Sequence, residues 1–203
     1  MLEVTTKRKP IYSRTVVLLV ALVAALGWWA PPASADQSDK KTVFTFSAPV
    51  EIPGKVLPAG TYVFKLLDST SNRDIVQVWD KDEQHLIATM LALPDYRMTP
   101  PDKPIVKFDE RASNEPEAIK AWFYPGEQYG WQFVYPNDRA TQIAKRTKQN
   151  VLSMRNDMTE HITAPAKSAS APGVQAMKNV EVTGVDPSGN PVEITIILAK
   201  PDK

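Results

Sequence analysis

The run Val50 to Leu67 (VEIPGKVLPAGTYVFKLL) limits what this chain can become more than any other stretch. Pro53-Gly54 and Pro58-Ala59-Gly60 are turn signals, because proline presets φ and glycine accepts the positive φ that other residues resist. Between and after them lie three short pieces with strand character. In Thr61 to Leu67, Tyr62, Phe64 and Leu66 share one side, while Thr61, Val63, Lys65 and Leu67 share the other. This is the two-residue period of a sheet strand. A helix cannot absorb that punctuation, so the stretch predicts an all-β module.

The rest of the chain repeats the pattern. Thr42 to Phe46 alternates, with Phe44 and Phe46 on one side. Ile75 to Trp79 reads as a strand, and His85 to Leu93 (HLIATMLAL) is apolar on both sides apart from His85 and Thr89, as in a central strand that Pro94 terminates. Pro104 to Asp109 returns to strand. Glu117 to Tyr124 and Trp131 to Tyr135 flank Pro125-Gly126 and Gly130, so WFYPGEQYGWQFVYP predicts one hairpin with aromatics on both arms. A helix is predicted over Arg139 to Lys148, capped by Asn137 or Asp138, with Ala140, Ile143 and Ala144 as its apolar stripe. The predicted architecture is mainly β: an antiparallel β-sandwich or partly closed barrel of about seven to nine strands, with one short flanking helix and a C-terminal hairpin.

Domain organisation follows from composition. Residues 1–35 have the plan of a secretory signal peptide: basic Lys7, Arg8, Lys9 and Arg14, then apolar Val16 to Leu26, then Ala33-Ser34-Ala35 as the small-x-small cleavage pattern. The apolar core falls short of the roughly 20 residues a bilayer span requires, so no stable membrane span is expected after cleavage. Residues 42–150 form the predicted β-sandwich domain. Residues 155–177, rich in Ser, Ala and Pro, read as a disordered linker. Residues 178–200 read as a terminal hairpin, Val180 to Val185 and Val192 to Leu198 around the turn Asp186-Pro187-Ser188-Gly189-Asn190.

Charge and residue usage exclude several classes of function. Cleavage removes four of the 24 basic and one of the 23 acidic residues, leaving a net charge near −2. Such a surface lacks the basic face a nucleic-acid backbone demands. Without cysteine there is no thiol nucleophile and no disulfide, so the exported chain depends on its core.

Candidate chemistry is sparse. The two histidines, His85 and His161, lie at a strand edge and in the expected linker, which does not favour a nucleophile with a poised base. Asp68-x-Thr70-x-Asn72-x-Asp74 begins like a calcium loop but has Arg73 where glycine is needed and Trp79 where a bidentate glutamate is needed. Asp80, Asp82 and Glu83 read as a solvated turn, and Asp109 with Glu110 as a solvated strand end. No cofactor motif is present.

The motifs Pro53-Gly-Lys-Val-Leu-Pro-Ala-Gly-Thr-Tyr62, Ala121-Trp-Phe-Tyr-Pro-Gly126 and Gly130-x-x-Phe-Val-Tyr-Pro136 together resemble a family of small exported bacterial proteins of unknown function, over roughly residues 43 to 144. The resemblance implies an exported β-rich domain, periplasmic or extracellular. It supplies no activity, cofactor or site residue.

The aromatic hairpin is where a functional surface is expected. Trp79, Trp122, Phe123, Tyr124, Tyr129, Trp131, Phe133 and Tyr135 read either as core or, for Tyr124, Tyr129 and Trp131 near the turn, as an exposed platform for a sugar ring or a protein partner. The expected function is that of a non-enzymatic binding or cell-envelope-associated module, its partner a glycan or an envelope protein. A hydrolase working with paired carboxylates and a scaffold that adds a strand to a neighbour remain open.

Overall fold

A computed structural model describes residues 40–67, 73–109 and 115–198. The signal-peptide reading with Ala33 and Ala35, most of the calcium-like loop and Glu110 lie outside these residues.

The stretch Val50 to Leu67 yields three strands, as its punctuation demands: β2 (Val50–Ile52), β3 (Lys55–Leu57) and β4 (Gly60–Leu67). Ile52 pairs with Lys55 across Pro53-Gly54, and Gly54 has φ of 79°, the value a type II turn needs at its second central residue. With β1 (Lys41–Phe46), β5 (Asp74–Asp80), β6 (Leu86–Tyr96), β7 (Ile105–Asp109), β8 (Glu117–Phe123) and β9 (Tyr129–Phe133), they build a nine-stranded sheet. Its order is β1-β4-β5-β6-β9-β8-β2-β3, with β7 also paired to β8. All pairings are antiparallel except β2 with β8.

The sheet curls without closing into a barrel. Phe46 of β1 and Phe108 of β7 meet with ring centroids 6.1 Å apart, and Phe64 of β4 meets Trp122 of β8 at 6.2 Å, although neither pair of strands is hydrogen-bonded. The inner face is therefore an aromatic core of Phe44, Phe46, Tyr62, Phe64, Trp122 and Trp131. Of the sandwich or partly closed barrel expected from the sequence, the strands give a mainly β fold with one large sheet, a second small one and no closed barrel.

A second sheet joins β10 (Tyr135–Pro136), β11 (Val151–Met154), β12 (Val182–Val185) and β13 (Pro191–Val192) in chain order. Helix α1 (Asn137–Thr147) buries Ala140, Ile143 and Ala144, the stripe its sequence predicts. Its cap is not Asn137 or Asp138. Asn156 supplies it from beyond the helix, its side-chain oxygen accepting the Asp138 N–H at 2.9 Å.

Three further expectations are corrected. Residues 155–177 are not a disordered linker: they hold a 3₁₀ turn (Asn156–Met158), helix α2 (Thr159–Thr163) and most of helix α3 (Pro172–Asn179), with Met158, Ile162, Val174 and Met177 buried. Thr89 of β6 accepts the Ala166 N–H at 3.0 Å through its hydroxyl, and Gln77 of β5 donates to the Ala166 carbonyl at 2.8 Å. The strap thus covers the outer face of β5 and β6, which explains why β6 is apolar on both sides.

The terminal hairpin turns at the predicted place, with Asp186 accepting the N–H groups of Ser188 and Asn190. Its second arm is strand only at Pro191–Val192, and Ile194–Leu198 form helix α4 instead. Pro94 does not end β6, which continues to Tyr96 alongside β9. Val134 donates to the Leu91 carbonyl, so residues 91, 93 and 95 bond to β9. Pro94 therefore turns its donorless nitrogen toward the other side, where β5 pairing has already ended at Ala92.

Candidate functional site

The hairpin of β8 and β9 places Trp122 opposite Trp131 and Phe123 opposite Gly130. The two indoles pack with centroids 4.5 Å apart, and Trp131 is 5% exposed. Gly130 leaves room for the Phe123 ring across from it: a Cβ there would stand 2.4 Å from that ring and 2.6 Å from the Trp122 carbonyl oxygen. The Trp131 indole N–H donates to Asp74 at 3.1 Å. Burial raises the Asp74 carboxyl above its ordinary range, opposed by that hydrogen bond and by the charges of Lys40 and Lys178.

An exposed platform of Tyr124, Tyr129 and Trp131 is thus corrected in its third member. Trp131 belongs to the core, because the cross-strand Trp122 draws it inward. Tyr129 is 64% exposed, and Tyr124 is half-buried. What the sequence did not single out is Tyr96. The β6–β9 register sets it opposite Tyr129, with ring centroids 5.6 Å apart and planes tilted by 58°. Tyr96 is 39% exposed and the neighbouring Met98 65%. The only signal for Tyr96 was its position two residues past Pro94, and the expected strand end there concealed it.

The loops around this pair are tied down. Arg97 donates its N–H to the Gln128 carbonyl at 2.8 Å, Gln128 donates from its side chain to the Met98 carbonyl at 3.0 Å, and Gly126 donates to the Pro101 carbonyl at 2.8 Å. At the same hairpin, the Lys40 ammonium lies 5.8 Å from the Tyr124 ring centre and 5.3 Å from that of Trp131, and is paired with Glu127.

Elsewhere, a groove of about 490 Å³ runs between the β2–β3 turn and the start of α1, lined by Glu51, Lys55, Val56, Asp138, Arg139 and Thr159. Its one buried carboxylate, Glu51, is held by Arg139, whose guanidinium is pushed to still higher pKa by the pairing. Asp109 is buried, not the solvated strand end its sequence position suggests. His85 is exposed and 2.6 Å from Asp80, whose carboxyl that hydrogen bond lowers. Among the described residues no cluster of three or more His, Asp or Glu side chains is arranged to hold a metal ion, and no helix is long and apolar enough to cross a membrane.

Comparison with protein-family models, with curated proteins and with solved structures yields no match to this chain.

Proposed function

We propose that this chain is an exported, non-enzymatic binding module that meets its ligand through the tyrosine pair Tyr96 and Tyr129. The observation that carries this reading is the pair itself: two exposed rings 5.6 Å apart on adjacent strands, beside exposed Met98, where the adjoining loops are fixed by hydrogen bonds. Tilted rings with hydroxyls at their tips offer an apolar floor and polar edges, the complement of a sugar ring. Preorganisation favours binding, because little ordering is left to be done when the ligand arrives. The basic, apolar and small-x-small succession of residues 1–35 supports export, to a periplasmic or extracellular destination. The hydrolase alternative has less support, since the buried carboxylate of the groove, Glu51, is committed to Arg139.

The test is a glycan array probed with wild type and with the double variant Tyr96→Ala/Tyr129→Ala. Retained fold by thermal melt together with lost glycan binding supports the reading. Equal binding by both proteins, or none by the wild type, sinks it.

A further inference from the structure

The Lys40 ammonium occupies a box of a particular chemistry. Its two aromatic sides are the faces of Tyr124 and Trp131, at 5.8 and 5.3 Å, both within the range over which a ring quadrupole attracts a cation. Glu127, on the turn between β8 and β9, is its counter-ion. Asp74 stands behind, accepting the Trp131 N–H and fixing the edge of that indole. The Lys40 backbone is anchored separately: its carbonyl accepts the Leu66 N–H at 2.9 Å. The side chain is therefore free to leave the box without undoing the β1–β4 ladder.

We propose that Tyr124, Trp131 and Glu127 form a binding site for a primary alkylammonium, which Lys40 fills from within the chain. A lysine side chain or a terminal amine of another molecule fits the same chemistry and competes with Lys40. The site goes beyond the tyrosine-pair reading and does not depend on it, because it is built from Tyr124, Trp131 and Glu127 and uses neither Tyr96 nor Tyr129. The internal occupant reduces the apparent affinity for an external amine in proportion to the time the site is filled.

The probe is n-butylammonium, which reproduces the end of a lysine side chain, with n-butanol as its uncharged control. It is titrated into the full chain, wild type and Lys40→Ala, while the indole N–H resonance of Trp131 is followed by NMR. The expected result is about tenfold tighter binding to Lys40→Ala than to wild type, as mass action requires when the competing group is removed. Glu127→Gln introduced into Lys40→Ala should cancel that gain, and n-butanol should leave the resonance still. Equal affinity in wild type and Lys40→Ala, an equal response to n-butanol, or a Trp131 signal that moves in neither protein would overturn the proposal. Should Lys40→Ala fail to fold, the wild type alone decides: saturating n-butylammonium must shift the Lys40 side-chain resonances to their solvent-exposed values, and their staying put rejects the site. A failure of the glycan array leaves this outcome unaffected, so the two readings fail separately.

Discussion

Arg139 holds Glu51 from two sides, Nε to Oε1 at 2.5 Å and Nη2 to Oε2 at 2.6 Å, and so ties α1 to β2 of the curled sheet. The two ends of this pair are unequally buried: the Glu51 side chain is 6% exposed and that of Arg139 32%. Removing the arginine strands a buried anion, whereas removing the glutamate leaves a cation that water reaches. Arg139→Met is therefore expected to cost about 2–4 kcal/mol and Glu51→Gln about 1–2 kcal/mol by urea denaturation. The double variant should cost less than the sum, since the two changes remove one shared interaction.

Trp131 is expected to behave as a core residue. Trp131→Ala and Trp122→Ala should each lower stability by about 3–5 kcal/mol, the range for emptying a large buried aromatic site. Comparable shifts in the thermal midpoint would place both indoles in one packing unit. A Trp131→Ala midpoint within a degree or two of wild type would contradict its burial.

Two glycines of the hairpin should fail for different reasons. Gly130→Ala drives a methyl into Phe123 and the Trp122 backbone, and overpacking of this kind costs about 1–3 kcal/mol or more. Gly126 has open space around it but φ of 77°, so alanine there is expected to cost only about 1 kcal/mol of backbone strain. The ranking can be read from denaturant midpoints of the two variants.

Thr89→Val removes the hydroxyl that bonds Ala166. A loss of about 1–2 kcal/mol is expected, the cost of leaving the strap's polar backbone unpaired. Hydrogen exchange should localise the effect, with protection falling around Ala166 while β5 and β6 keep theirs.

Acid should reveal the turn at Glu83. This residue adopts φ of 56° and its carboxylate pairs with both Lys41 and Lys65, which hold its pKa below the ordinary range. A depressed carboxyl favours the folded state above the ordinary pKa, and the contribution drains away as pH falls through the lowered value. Thermal midpoints measured from about pH 5 to pH 3 should fall less steeply in Glu83→Gln than in wild type. Asp74 has the opposite sign. Its raised pKa contributes fully only at pH below the ordinary Asp value, and the contribution is lost as pH rises through the raised one. Asp74→Asn keeps an acceptor for Trp131 and should raise the midpoint at pH 7 while leaving it near wild type at pH 3.

Features carried by neighbours along the chain were legible from the residues alone. The alternation of Tyr62 and Phe64, the proline-glycine turn before Lys55, the Ala140-Ile143-Ala144 stripe and the Asp186 turn depend on local backbone geometry, and each appears where the sequence puts it. Features decided by distant partners were not. Residues 155–177 have no strong pattern of their own and become ordered because Thr89, Gln77 and the apolar outer face of β6 offer more than solvent does. The sequence around Trp131 suits either a core ring or an exposed one, and a tryptophan on the facing strand and an aspartate fifty-seven positions away draw it into the core. Tyr96 and Tyr129 became a pair only through the register of β6 with β9, and Lys40 reached Tyr124 and Trp131 only because the sheet curls. Period and turn chemistry act over a few residues, whereas burial and pairing in an antiparallel sheet are set between strands that the linear order keeps far apart.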